Sequence, residues 1–98
     1  MRYRIDDTVY DTSIAKREYL NAYDHDGRNQ VSRVTNSQWS RECLYLSSKG
    51  TWYIERTSAY QGVQPEVRVV GIREAAAWLE FNDHELPPEL AEVESVVE

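Results

Sequence analysis

Between Glu42 and Phe81 the hydrophobic and polar positions follow two periods. Leu44 and Leu46 alternate with Cys43 and Tyr45, Trp52 and Ile54 with Tyr53 and Glu55, and Val67 and Val69 with Arg68 and Val70. A period of two puts alternate side chains on opposite faces and reads as three strands. After Gly71 the period changes: Ile72, Ala75, Ala76 and Leu79 recur at helical spacing, with Trp78 at the border of their face. This predicts a helix over 72–81. Gly71 stands at its N-cap, Glu74 at the N3 position of a capping box, and Asn82 is a candidate left-handed stop.

The central pair of strands has a definite register. If Ser48-Lys49-Gly50 forms a three-residue loop, Gly50 takes the left-handed position that such a loop needs. Leu46 then faces Trp52, Leu44 faces Ile54 and Glu42 faces Arg56. The apolar residues share one face, and opposite charges meet at the open end. A two-residue loop would set Glu42 against Glu55 and scatter the apolar residues over both faces.

The first half is less regular. Arg2 to Ile5 and Thr8 to Tyr10 read as a short hairpin turning at Asp6-Asp7. Asp11, Thr12 and Ser13 are good N-caps, and Ala15, Tyr19, Ala22 and Tyr23 follow at helical spacing, predicting a helix over 13–23. Residues 27–38 are polar and weakly patterned and read as a long loop. The connection 58–65 is punctuated by Gly62 and Pro65. The expected fold is therefore α+β: a small antiparallel sheet of four to five strands with two helices. Its core is expected to hold Leu44, Leu46, Trp52, Ile54, Val67, Val69, Ala75, Trp78 and Leu79. The domain is drawn at 1–86, with 87–98 as an acidic tail behind Pro87-Pro88.

Composition narrows the functional classes. The chain has 98 residues and a net charge of −6. Residues 1–71 hold ten Lys/Arg against nine Asp/Glu, whereas 72–98 hold only Arg73 against eight acids. An acidic end disfavours direct nucleic-acid binding, where affinity comes from neutralising phosphates. It suits a protein partner with a basic surface. The single cysteine, Cys43, cannot form an internal disulfide. No apolar run approaches the length that spans a bilayer, and the N-terminus lacks an apolar signal region. The expectation is a cytoplasmic protein with no membrane contact; a homodimer is left open.

The residues Ile5-Asp6-Asp7, Tyr10-Asp11-Thr12, Leu44-Tyr45, Ser48-Lys49-Gly50-Thr51-Trp52-Tyr53-Ile54 and Glu74-Ala75-Ala76-Ala77-Trp78-Leu79-Glu80 carry a resemblance. In these segments the chain resembles a group of small, mostly uncharacterised proteins of bacterial plasmids, phages and other mobile elements. Those proteins usually show Gly where Asp7 stands and Ser where Gly71 stands. The shared residues are turns, caps and core, and none is catalytic. By context, the resemblance implies an inhibitor of host defence of the anti-CRISPR kind.

Little else in the chain points to chemistry. His25 lies between Asp24 and Asp26, and His84 between Asp83 and Glu85; only if those two turns met would they hold a divalent metal. Cys43 lacks a positioned base. There is no Gly-x-Ser-x-Gly elbow and no phosphate loop. No enzyme activity, cofactor or metal is expected. The expectation is a non-enzymatic protein-binding inhibitor that blocks a bacterial defence complex through Glu74, Glu80, Asp83, Glu85 and Glu89. Tyr60, Tyr53 and Trp39 are further contact residues, because Tyr and Trp anchor interfaces. The alternative is a small nucleic-acid-binding or regulatory module stacking bases on Tyr45 and Tyr53 beside Lys49 and Arg56.

Overall fold

A computed structural model describes residues 1–25, 27–60 and 62–91. In chain order the elements are β1 (Arg2–Ile5), β2 (Thr8–Asp11), β3 (Arg17–Leu20), β4 (Tyr23–His25), β5 (Gln30–Ser32), β6 (Ser40–Leu46), β7 (Trp52–Ser58), β8 (Glu66–Val70) and α1 (Ile72–Phe81). Short 3-10 turns lie at Thr12–Ile14 and Pro88–Leu90. The main sheet is antiparallel in the order β3-β6-β7-β8; β1-β2 and β4-β5 form two separate two-stranded ribbons.

The central hairpin takes the expected register: Leu46 pairs with Trp52, Leu44 with Ile54 and Glu42 with Arg56. Gly50 closes the loop at φ +93°, and Ser47 N–H donates to the Thr51 carbonyl at 2.8 Å. On one face Leu44, Leu46, Trp52, Ile54 and Val70 meet Ala75, Ala76, Trp78 and Leu79 of α1, with Tyr19, Val34 and Leu86 at the margin. Leu90 is fully buried in the same cluster, so the packed body runs past residue 86 and Pro88–Leu90 belongs to it. On the other face Cys43, Tyr45 and Tyr53 pack against Tyr10, with Ile5, Ala15 and Val67 around them.

Several expectations fail for local reasons. Only one α-helix forms among the described residues. The segment 13–23 is instead a 3-10 turn, strand β3 and the start of β4. Arg17, Tyr19 and Asn21 also alternate with exposed Glu18 and Leu20, and tyrosine suits a pleated surface. The deciding factor is β6, whose residues Glu42 to Leu46 are all buried. Its outer backbone groups need partners, and β3 supplies them, with Lys16 N–H on the Leu46 carbonyl and Asn21 N–H on the Glu42 carbonyl. The 27–38 loop contains β5, which pairs with β4. In β8 it is Val70, opposite Trp52, that enters the main core; Val67 lies on the other face, and Val69, which shares that face, is 45 % exposed. Ile72 of α1 is also exposed. The left-handed residue after α1 is Asp83 (φ 62°), not Asn82 (φ −99°). Asn82 ends the helix through its side chain, donating to the Trp78 carbonyl at 2.8 Å while its amide oxygen accepts Ala22 N–H at 2.7 Å.

One carboxylate is built into the core boundary. Glu42 is 3 % exposed and accepts two bonds from Arg56, at 2.9 and 2.7 Å, and one from the Trp78 indole N–H at 3.1 Å. Only Glu42 is buried, and Arg56 is 47 % exposed, so solvent screens the pair from one side; removing Arg56 still leaves a buried carboxylate with the indole N–H as its remaining side-chain partner. The triad ties the open end of the hairpin to α1.

Candidate interaction surface

The open end of the β6-β7 hairpin carries an aromatic pair. Trp39 precedes β6 and Tyr60 follows β7. Their ring centroids lie 5.8 Å apart at 48°, within the range of favourable aromatic contact. They remain 47 % and 56 % exposed. The backbone that presents them is fixed by short-range bonds. Ser37 Oγ accepts the Trp39 N–H at 3.0 Å, and Ser58 Oγ accepts the Tyr60 N–H at 3.1 Å. Each is a hydroxyl accepting from the backbone two residues on, the serine form of a turn. Ala59 N–H then donates to the Trp39 carbonyl at 2.7 Å, extending the ladder one step beyond Ser40 and Ser58. Thr35 Oγ1 donates to the Ser40 carbonyl at 2.9 Å and accepts Ser37 N–H at 3.2 Å, holding the approach to Trp39.

Two clefts flank this pair. One, of about 410 Å³, is lined by Tyr23, Trp39, Arg41, Thr57 and neighbouring polar residues. The other, of about 210 Å³, is lined by Arg56, Tyr60, Val63, Gln64, Glu66 and two serines. A third, of about 420 Å³, lies further along the sheet between Glu42, Arg56, Glu66 and Arg68 over Ile54 and Val67.

Tyr53, expected as a contact residue, is fully buried. It stacks on Tyr45 at 5.3 Å and meets Tyr10 at 5.0 Å. The face that was to stack bases is therefore closed, and what closes it is the β1-β2 hairpin. Tyr3 of that hairpin donates its hydroxyl to Glu55, which also accepts from Tyr45 at 3.4 Å. Desolvation pushes the Tyr3 and Tyr45 phenols well above their ordinary range and Tyr53 up to about 12. Burial likewise pushes the Cys43 thiol up, away from nucleophilic use.

The acidic residues are drawn largely into the protein's own ion pairs. Glu74 pairs with Arg68. Asp83 pairs with Arg33 at 2.9 Å, and Arg33 also holds Asp24 and the Phe81 carbonyl. Glu89 pairs with Arg17 at 2.7 Å and Lys16 at 3.4 Å. Glu80 and Glu85 are exposed. His25 and His84 serve locally. His25 Nδ1 accepts Gly27 N–H at 3.1 Å. His84 packs between Tyr19 and Trp78, with its Nε2 at 2.7 Å from the Leu20 carbonyl. Among the described residues, which leave out Asp26, no three His, Cys, Asp or Glu side chains form a metal-binding group. No helix among the described residues is long and apolar enough to cross a membrane.

Sequence reading singled out Trp39 and Tyr60 but did not place them together, and it passed over Tyr23 and Arg41. The periodicity puts Tyr23 in a helix, and no local motif marks Arg41. Comparison of the chain with protein-family models, curated proteins and solved structures finds no match.

Proposed function

We propose that this chain is a non-catalytic protein-binding module whose contact surface is built on the Trp39–Tyr60 pair. The observation that carries the reading is the pair itself. Two large aromatics, one before β6 and one after β7, meet at the open end of the hairpin while staying about half exposed, on backbone held by serine turns. Rigid, partly exposed Trp and Tyr side chains supply contact area at little entropic cost and are the residue types that dominate binding energy. Their clefts give a partner's side chains somewhere to enter.

The narrower reading is an inhibitor from a mobile element that blocks a bacterial defence complex of the CRISPR-Cas type. It is supported by the resemblance alone. An acidic contact through Glu74, Glu80, Asp83, Glu85 and Glu89 is the weaker surface. Glu74, Asp83 and Glu89 would have to release Arg68, Arg33 and Arg17 before meeting a basic partner.

Affinity capture from the host, followed by binding measurements with the purified partner, tests both. W39A/Y60A should weaken binding at least about a hundredfold, as expected for two anchoring residues. E80Q/D83N/E85Q should change it by less than about fivefold at physiological salt. The reverse order would move the contact to the acidic end. A defence nuclease as the partner would support the inhibitor reading.

A further inference from the structure

The cleft beside Trp39 differs in charge from the protein that carries it. Its lining, Tyr23, Gln38, Trp39, Ser40, Arg41, Thr57, Ser58 and Ala59, contains one cation and no carboxylate. Arg41 is exposed on β6 opposite Thr57. Arg2, Arg17, Arg33, Arg56 and Arg68 each pair with a carboxylate of the chain. Arg41 makes no such pair among the described residues. The two neighbouring clefts both contain Glu66 and an arginine already engaged. In a chain of net charge −6, the Tyr23–Trp39–Arg41 cleft is thus a local positive wall between aromatic surfaces.

Resting on the protein-binding reading above, we infer that this cleft receives a carboxylate side chain from an acidic segment of the partner. The Arg41 guanidinium forks onto the carboxylate, the geometry at which arginine excels. Tyr23 and Trp39 cover the apolar side chain next to it, and the hydroxyls of Ser40, Thr57 and Ser58 are at hand for its backbone. The size, about 410 Å³, is in the range of roughly 300–1,000 Å³ that encloses compact ligands. A polynucleotide fits less well. Its affinity would come from neutralising many phosphates, and this surface offers a single free cation inside an acidic molecule. The acidic excess of residues 72–98 repels an acidic segment, which adds selectivity for the carboxylate-free wall at Arg41.

The test is a nuclear magnetic resonance titration of the full chain with three probes: acetyl-Glu-Phe-Glu-amide, acetyl-Gln-Phe-Gln-amide and adenosine monophosphate. The acidic peptide should shift the Trp39 indole N–H and the Arg41 side-chain signals saturably at millimolar concentration. The Gln peptide should bind about threefold more weakly, and R41Q should abolish that difference. The indole signals of Trp52 and Trp78, buried in the core, should stay in place and so report an intact fold. Equal binding of both peptides, no shift at millimolar peptide, or a shift with the nucleotide alone overturns the inference. If the peptides fail but W39A/Y60A still loses the captured partner, only the acidic-segment inference falls. If W39A/Y60A keeps its partner, the binding surface itself is wrong.

Discussion

Tyr53 carries the sharpest single-residue consequence. Its side chain is fully buried, and its hydroxyl has no hydrogen-bond partner among the described residues. A buried polar group left unpaired costs about 1–3 kcal/mol, whereas removing the group with its shape kept is nearly neutral or stabilising. Tyr53→Phe should therefore leave the unfolding free energy unchanged or raise it by up to about 1 kcal/mol, read from urea denaturation. A loss of more than about 1 kcal/mol would mean that the hydroxyl is satisfied by an ordered water. Glu42 is the contrasting case, a buried charge with every partner in place. Its pairing with Arg56 was legible, because hairpin register sets one opposite the other. The Trp78 indole bond was not, because α1 returns over the sheet at an angle that no strand pattern encodes.

At the scale of elements, the central hairpin is the best determined part of the chain. Its loop needs a left-handed residue, and Gly50 sits there at φ +93° with open space where a Cβ would go. Gly50→Ala should thus cost about 1–2 kcal/mol through backbone strain alone, with no steric clash. Thermal unfolding checks this, and an unchanged midpoint would show that the loop relaxes. The N-terminal hairpin was also legible, and it turns on two left-handed residues, Asp6 at φ 46° and Asp7 at φ 65°. Segment 13–23 was not. Its apolar spacing fits a helix, yet β6 needed a hydrogen-bonding neighbour on its free edge, and that demand comes from elsewhere in the chain. Local propensity yields when buried backbone groups must be paired.

For the whole molecule, the decisive arrangement is a four-stranded sheet covered on both faces, by α1 on one and by the β1-β2 hairpin on the other. The second cover makes a buried tyrosine cluster and with it a pH limit. Tyr53 is raised from 10 to about 12, and Tyr3 and Tyr45 are raised further, by desolvation first and by Glu55 among the charges that add to it. The folded state holds these protons when the unfolded state has lost them. Stability from this source is complete below pH about 10 and falls as the pH rises towards 12 and beyond. Alkaline titration should show phenolate absorbance appearing in a cooperative step together with the loss of circular dichroism. A gradual rise with the fold intact would mean that the hairpin opens readily.

The sequence by itself determined that the chain folds as a small α+β body, where its main hairpin turns, which residues of that hairpin share a face, and where α1 begins and ends. These follow from local periods and turn chemistry, which act over a few residues. The tertiary structure alone decided the rest. It made a strand of residues 17–20, brought Leu90 into the core, and closed the Tyr45–Tyr53 face. It set Trp39 beside Tyr60, and it left Arg41 on an aromatic-walled cleft while Arg2, Arg17, Arg33, Arg56 and Arg68 paired with carboxylates. Those outcomes depend on which distant surfaces must cover one another. That is a global condition on burial and hydrogen bonding, and no local pattern carries it.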